Sequence, residues 1–344
     1  MIDEKNITDR SAPGGSRVKL AEALPLDTPL IIQIFNIYAC NLSCKFCHYG
    51  LPKEKRPFIS KNRRMDLALF KKCIDDLSAF KHKIKLLRFC GTGESLLDNN
   101  VAEMVDYAVR NNVAEKVELI TNGIFLTPEL SRSLIDSGLS RLRVSIYGVD
   151  AEMYKEICDA DVDFDQLVEN IRFFFEYKKK TRKDTFVYVK TMNCTLRNAE
   201  EEQKFIEIFG NICDSYAVEH VVPNVAGLDY TKWLPTKNDY TNIIGMKLPP
   251  IKICPQPYHL LTINPDGKVI PCTVDYNLPI GDLNVESLSQ IWHGETMRNF
   301  QRRMLDGKEA AGKICSTCDV AQCRPFPEDL LDNDAERLKK YFEN

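Results

Sequence analysis

The chain has no apolar stretch approaching the roughly 20 residues needed to cross a bilayer, so its 344 residues are expected to contain no transmembrane helix. Its first residues, MIDEKNITDRSAPGGSRVK, lack the apolar core of a secretory signal. That argues against export, and residues 1–28 are expected to be a flexible lead-in. There is no excess of charge either. Lys and Arg number 46 against 49 Asp and Glu, a formal net charge of −3, which excludes binding driven by a phosphate backbone. The basic run from Lys178 to Lys183 is short and reads as a solvated helix end. Long-period repeats and low-complexity tracts are also missing. Neither a membrane nor a nucleic acid is expected as a partner.

Cysteine is abundant, at thirteen residues. With no export signal the expected compartment is the cytoplasm, where clustered cysteines bind metal or do chemistry more often than they form disulfides. Apolar residues make up 44%, enough for a substantial core, and the length suits a large domain plus a small one.

Apolar runs of strand length alternate with segments of helical periodicity. The strand candidates are Leu30–Tyr38, Ile84–Cys90, Lys116–Thr121, Arg141–Tyr147, Thr185–Asn193 and Ser215–Val222. Helical patterns lie near Met65–Phe80, Asn100–Asn112, Pro128–Ser137, Phe164–Lys180 and Ala199–Phe209. Six βα repeats predict an α/β fold with a parallel sheet. From about Val225 the chain becomes loop-rich. It then offers a hairpin, LLTINPDGKVIPC, with a Pro-Asp-Gly turn, a helix over Glu286–Leu305 and a terminal helix over Glu328–Phe342. The expected division is 29–235 for the repeats and 236–344 for the remainder.

Special sequences punctuate the strand ends. Cys40-Asn-Leu-Ser-Cys44-Lys-Phe-Cys47 follows the first strand, Gly91-Thr-Gly-Glu94 the second, Thr121-Asn-Gly123 the third and Ser145-Ile-Tyr-Gly148 the fourth. In a barrel of parallel strands the C-terminal ends share one face, where active sites are built. Three thiolates are one too few for a closed iron–sulfur cluster, which takes four cysteines, so a cubane held by them keeps one iron open to a chelating ligand. Zinc with three cysteines and another ligand is the alternative.

CNLSCKFC resembles the signature of the radical S-adenosylmethionine (SAM) superfamily, including the aromatic Phe46 before the last cysteine. The resemblance covers roughly residues 28–225. It implies a partial (β/α)6 TIM-like barrel, a [4Fe–4S] cluster on Cys40, Cys44 and Cys47, and SAM as the chelating ligand, cleaved to a 5′-deoxyadenosyl radical. GTGE resembles the family's Gly-Gly-Glu element, although Thr92 separates the glycines. The resemblance implies that Gly91, Gly93 and Glu94 bind SAM, with Phe46 near the adenine, Ser145 at the ribose or carboxylate and Asn122 in a shared TNG element.

The later cysteines, with PCTVDYNLPIGDLNVESLSQIWHGE, resemble the SPASM/twitch extension of this superfamily, a small C-terminal unit of β-hairpin plus helices. That resemblance implies one auxiliary [4Fe–4S] cluster on Cys254, Cys272, Cys315 and Cys318, as in single-cluster twitch enzymes. Cys323 stands either in place of Cys318 or as a free thiol, and structural zinc is the alternative occupant. Cys73, Cys90, Cys158 and Cys213 read as packing residues. Cys194, at the end of the fifth strand, is a candidate hydrogen-atom donor as well as a packing residue.

Strand alternation puts Arg143, Ser145 and Tyr147 on one face of the fourth strand, and Tyr188, Lys190 and Met192 on one face of the fifth. Arg143, Tyr147 and Lys190 are the candidate catalytic residues, with His220 and Asn224 adding polar lining. Enclosed charges need partners: either an anionic or hydroxylated substrate, or barrel carboxylates such as Glu118 and Glu219. The expected activity is oxidation or epimerisation of a small polyhydroxylated molecule (a sugar, nucleotide-sugar or aminocyclitol), with the auxiliary cluster accepting an electron. A peptide-modifying maturase is the alternative, and a zinc-stabilised scaffold without catalysis the third reading. Turnover requires a flavodoxin- or ferredoxin-type electron donor.

Overall fold

The computed structural model describes residues 7–8, 17–56, 62–225, 228–234, 241–273 and 278–342. Nine strands form one sheet: β1 (Ile31–Ile34), β2 (Ile84–Phe89), β3 (Ala114–Thr121), β4 (Arg141–Ser145), β5 (Phe186–Met192), β6 (Ser215–Glu219), β7 (Leu260–Ile263), β8 (Lys268–Ile270) and β9 (Gly281–Asp282). Their order is β6-β5-β4-β3-β2-β1-β7-β8-β9. The first six run parallel in chain order, β7 joins parallel to β1, and β8 and β9 complete an antiparallel edge. The sheet is thus an open, partial barrel, and the hairpin of the C-terminal part extends it.

Every residue of β1, β2 and β4 is buried. This is the expected state of parallel strands covered on both faces. Helices Leu67–Asp76, Val101–Asn111, Pro128–Asp136, Ala151–Cys158, Phe164–Thr181 and Ala199–Phe209 return the chain between strands. Their starts are fixed by side-chain caps: Asp66, Thr127, Asp150, Asp163 and Asn198 each accept a hydrogen bond from a first-turn amide, a contribution of about 1 kcal/mol apiece. Their apolar stripes pack on the sheet, with Phe70, Phe174, Phe205 and Phe209 fully buried, and each such side chain contributes about 1.5–3 kcal/mol.

Four parts of the chain differ from the sequence expectation, the first being the terminal helix, expected over Glu328–Phe342, which begins only at Ala335 after short 3-10 turns at Pro327–Asp329 and Asp332–Asp334. Helix Ala151–Cys158 was not anticipated, because eight residues show too little periodicity and only its Asp150 cap marks it. The helix expected over Glu286–Leu305 is two, Leu288–His293 and Glu295–Leu305, divided at Gly294 where the backbone is extended. The lead-in is not loose over its described part. Leu20, Ala21 and Ala23 of a short helix are buried, and Arg17 pairs with Asp329 at 3.0 Å. The apolar run LAEALPL, which can bury its side chains, accounts for this. Residues 1–6 and 9–16 of that segment, and the boundary expected at 235/236, lie outside the described residues. No helix among the described residues is long and apolar enough to cross a membrane.

Candidate active site

The loop bearing Cys40, Cys44 and Cys47 leaves the C-terminal end of β1 and is held from three sides. Ser43 N and Lys45 N donate to the carbonyls of Cys158 and Ile157 at 2.8 and 3.0 Å, so the unpaired carbonyls at the end of helix Ala151–Cys158 anchor the loop. Cys47 N donates to Cys44 O at 2.9 Å, turning the chain so that both thiols belong to one turn. On the third side, Glu94 N donates to Ala39 O at 2.7 Å. A β-carbon at Gly93 would lie 2.1 Å from Ile37 O and 2.9 Å from Ala39 O. The GTGE segment therefore lies flush on the backbone that leads into the cysteine loop.

Glu94 is buried, and its carboxylate ties two strand ends together. It accepts from Thr121 Oγ1 at 2.6 Å, Asn122 N at 2.7 Å and Leu96 N at 3.0 Å. Burial raises its pKa against the lowering effect of these donors. Asn122 in turn donates to Asn41 Oδ1 at 2.8 Å. The second and third strand ends are thus locked to the cysteine loop by hydrogen bonds among the motif residues themselves.

These groups open into one cavity of about 350 Å³, lined also by Phe46, Gly91, Gly93, Ser145, Tyr147, Lys190, Met192, His220, Asn224 and residues of the C-terminal part. Such a volume suits a small-molecule site. Phe46 packs on Tyr147 and Trp233, with ring centroids 5.4 and 6.3 Å away. Burial holds the Tyr147 phenol well above its ordinary pKa, so it stays neutral and able to donate. The Ser145 hydroxyl also lines the cavity.

Charge runs across the inner face of the sheet along the strand register. Arg88 is level with Glu118, Glu118 with Arg141, and Arg143 with Tyr188. Glu118, with no exposed surface, sits among Arg88, Arg141 and Arg143. Burial alone would raise its pKa, but the three arginines hold it below the ordinary value. Glu219 accepts from Lys190 Nζ at 2.8 Å, Arg143 Nη2 at 3.2 Å and Tyr188 OH at 3.0 Å. Here too burial is overcome, by Lys190 and Arg143, leaving Glu219 at about 2. Barrel carboxylates therefore do pair with Arg143 and Lys190, the second of the two readings open from the sequence.

Farther along the chain, Cys254, Cys272, Cys315 and Cys318 line one small apolar cavity with Phe300, Met304 and Ile314. They come from the turn before β7, the end of the hairpin and the segment after helix Glu295–Leu305. Burial and then the neighbouring Cys318, Cys272 and Cys315 push the Cys254 thiol far up. Cys323, 1% exposed, is not among the lining residues. Among the described residues no three His, Cys, Asp or Glu side chains close around a single metal ion. Both cysteine sets line hollows instead of converging on a point, and thiolate donors around a hollow fit an iron–sulfur cluster better than a tetrahedral ion.

Comparison with known families agrees with this geometry. Residues 37–194 match the radical SAM superfamily model and residues 254–319 the SPASM iron–sulfur cluster-binding domain. The chain belongs to the radical SAM superfamily. Superfamily and domain together imply SAM, a [4Fe–4S] cluster and auxiliary iron–sulfur binding. A probable GTP 3′,8-cyclase of Saccharolobus solfataricus is 30% identical over 181 residues, 53% of each chain, so this enzyme spans about half the length of that relative. The S-adenosyl-L-methionine-dependent 2-deoxy-scyllo-inosamine dehydrogenase of Niallia circulans is 21% identical over 81% of this chain and 88% of its own. Among solved structures, BtrN in complex with AdoMet and 2-DOIA has a TM-score of 0.56 at 19% identity, covering 87% of this chain and 97% of BtrN. Streptococcus suis SuiB bound to S-adenosylmethionine has a TM-score of 0.60 at 13% identity, covering 90% of this chain and 79% of SuiB. These likenesses are of fold.

In this radical SAM enzyme the cavity brings together the three loop cysteines, all six residues expected at SAM, and Arg143, Tyr147 and Lys190. Cys194 is not in the cavity wall. The turn Asn193–Thr195 after β5 breaks the strand alternation that would have aimed it inward. Sequence reasoning missed Cys158, whose Sγ lies 3.4 Å from Cys44 Sγ. It also missed Arg88 and Arg324, both cavity-lining. Arg88 lies in a strand buried on both faces, where alternation gives no inward side. Nothing local marks Arg324.

Proposed function

We propose that this enzyme oxidises or otherwise remodels a small polyhydroxylated molecule. Cys40, Cys44 and Cys47 hold the cluster that takes SAM, and Cys254, Cys272, Cys315 and Cys318 hold the auxiliary cluster. The observation that carries the reading is one shared cavity, in which the cysteine loop faces a wall of hydrogen-bonding groups from β4, β5 and β6. Supporting it, the Niallia circulans relative is by name a dehydrogenase of an aminocyclitol, and its match extends over both domains.

When bound, the cluster and SAM supply a 5′-deoxyadenosyl radical that removes a hydrogen atom from carbon. The chain's own residues bind, orient and shield. Phe46 and Tyr147 form an aromatic wall beside the loop, and Ser145 offers a hydroxyl at the end of β4. Lys190, held by Glu219, presents N–H donors to a substrate oxygen. Glu219 at about 2 is a weak base in the resting state, so in the ion pair its task is to fix Lys190 and Arg143. Residues of the C-terminal part, among them Arg324 and Phe326, complete the cavity wall beside the barrel. An electron donor of the flavodoxin or ferredoxin type, in the cytoplasm, completes the turnover.

The test is anaerobic incubation of iron-reconstituted enzyme with SAM and dithionite, following 5′-deoxyadenosine by mass spectrometry with sugars, aminocyclitols and peptides in parallel. Stimulation by a polyol supports the proposal. Stimulation by peptides alone replaces it with peptide maturation.

A further inference from the structure

We infer that the substrate carries an anionic group, phosphoryl or carboxylate, and that Arg324 with Arg88 receives it. This rests on the polyol reading above and narrows it: the preferred polyol is a sugar or cyclitol acid or phosphate, in place of a neutral or amino sugar.

The argument is one of charge and of donors left over. Five cations (Arg88, Arg141, Arg143, Lys190 and Arg324) gather around this end of the cavity, all but Arg141 in its lining. The two carboxylates among them, Glu118 and Glu219, are already engaged by the first four. Arg324 comes from the other side, on the segment after the last cysteine, and lines the same cavity. Among the described residues no ion pair or side-chain hydrogen bond involves its guanidinium, and the side chain is solvent-exposed where it lines the cavity. The acidic residues that follow it, Glu328 and Asp329, both pair with Arg17, and Asp329, which also lines the cavity, accepts from Phe326 N at 2.9 Å as well.

Arg88 shows the same deficit from within the sheet. It is 6% exposed, and beyond its bond to Glu118 its Nη2 is buried without a partner. Arg88 and Arg143 lie close enough to repel the Arg324 guanidinium, which stays charged at any working pH. A buried guanidinium nitrogen without a partner, such as Arg88 Nη2, is costly. An anion that enters between Arg88 and Arg324 removes that cost and gains paired N–H···O bonds from planar forks matched to phosphate and carboxylate. An amino sugar, which brings another positive charge, would be repelled.

The experiment uses reconstituted holoenzyme saturated with SAM, so that the carboxylate of SAM is already in place. Inorganic phosphate is titrated calorimetrically into wild type, Arg324→Gln and Arg324→Lys. Wild type is expected to bind phosphate, Arg324→Gln to bind at least about tenfold more weakly, and Arg324→Lys to recover part of the loss, since it keeps the charge without the fork. Absence of phosphate binding to wild type, or equal binding to all three, overturns the inference. So does a rise in the KM for SAM as the effect of Arg324→Gln, because Arg324 would then serve the SAM carboxylate. In the 5′-deoxyadenosine assay, glucose 6-phosphate, myo-inositol 1-phosphate and glucuronate should outperform glucose, myo-inositol and glucosamine. If neutral polyols stimulate as well as anionic ones, the inference falls and the polyol reading stands. If phosphate binding depends on Arg324 yet only peptides stimulate, the polyol reading falls and the anion site stands.

Discussion

The two cysteine sets reach similar ends by different routes. Cys40, Cys44 and Cys47 lie within eight residues on one loop, and the loop is shaped by what docks on it: the end of helix Ala151–Cys158, the GTGE segment and Asn122. Cys254, Cys272, Cys315 and Cys318 come from segments spread over 65 residues and meet only because the hairpin and the last helices pack together. The first set faces the large cavity, while the second is closed in by Phe300, Met304 and Ile314. A site with three thiols and an open side can take a small molecule as its fourth ligand. One with four thiols in an apolar shell is suited to passing an electron.

The largest effect follows from exchanging one cysteine in each set. Cys44→Ala should reduce 5′-deoxyadenosine formation to the background of iron-free protein. Cys315→Ala should lose about half the reconstituted iron and keep SAM cleavage without substrate turnover. Cys323→Ala, outside the auxiliary cavity, should keep its iron. Iron and 5′-deoxyadenosine measured on the same preparations decide this. A Cys323→Ala variant that loses as much iron as Cys315→Ala would redraw the ligand set.

A smaller effect is expected where the GTGE segment docks. Gly93→Ala places a β-carbon against two backbone carbonyls, which cannot swing away as a side chain would. The cost should be about 1–3 kcal/mol, with weaker retention of the loop cluster and normal retention of the auxiliary one. Thermal unfolding and iron retention measure both parts. Unchanged stability would mean that the two segments can separate without consequence.

How much of this was legible beforehand depends on how local the signal is. CNLSCKFC, GTGE and TNG are contiguous, and each sits at a strand end that its apolar run marks, so the barrel and the cavity at its strand ends could be anticipated. Helix Ala151–Cys158 could not, being short, and with it went the role of Cys158 beside Cys44. The arginine–glutamate array was only half legible. Arg143 and Lys190 came from alternation once Ser145 set the inward face, but β2 is buried on both faces, so alternation there does not say that Arg88 points inward. Arg324 is placed by the packing of the C-terminal part on the barrel, a long-range event with no sequence period.

The last expected effect concerns that array and its dependence on pH. Glu219 is 5% exposed and its folded pKa of about 2 lies below its ordinary 4.5. A depressed carboxylate adds stability that is fully present above its unfolded pKa and is lost as pH falls through the folded one. The window is therefore pH 4.5 down to about 2, and the full contribution is on the order of 3 kcal/mol. Gln is close in shape to a protonated Glu. Wild type should therefore exceed Glu219→Gln in urea midpoint above pH 4.5, with the gap narrowing as the pH is lowered. Taking the difference between the two proteins removes the acid losses they share, including those of the clusters. A gap of constant size across that range would show that Glu219 is held by shape and hydrogen bonding alone. Lys190 and Arg143 would then not be the charges that fix it.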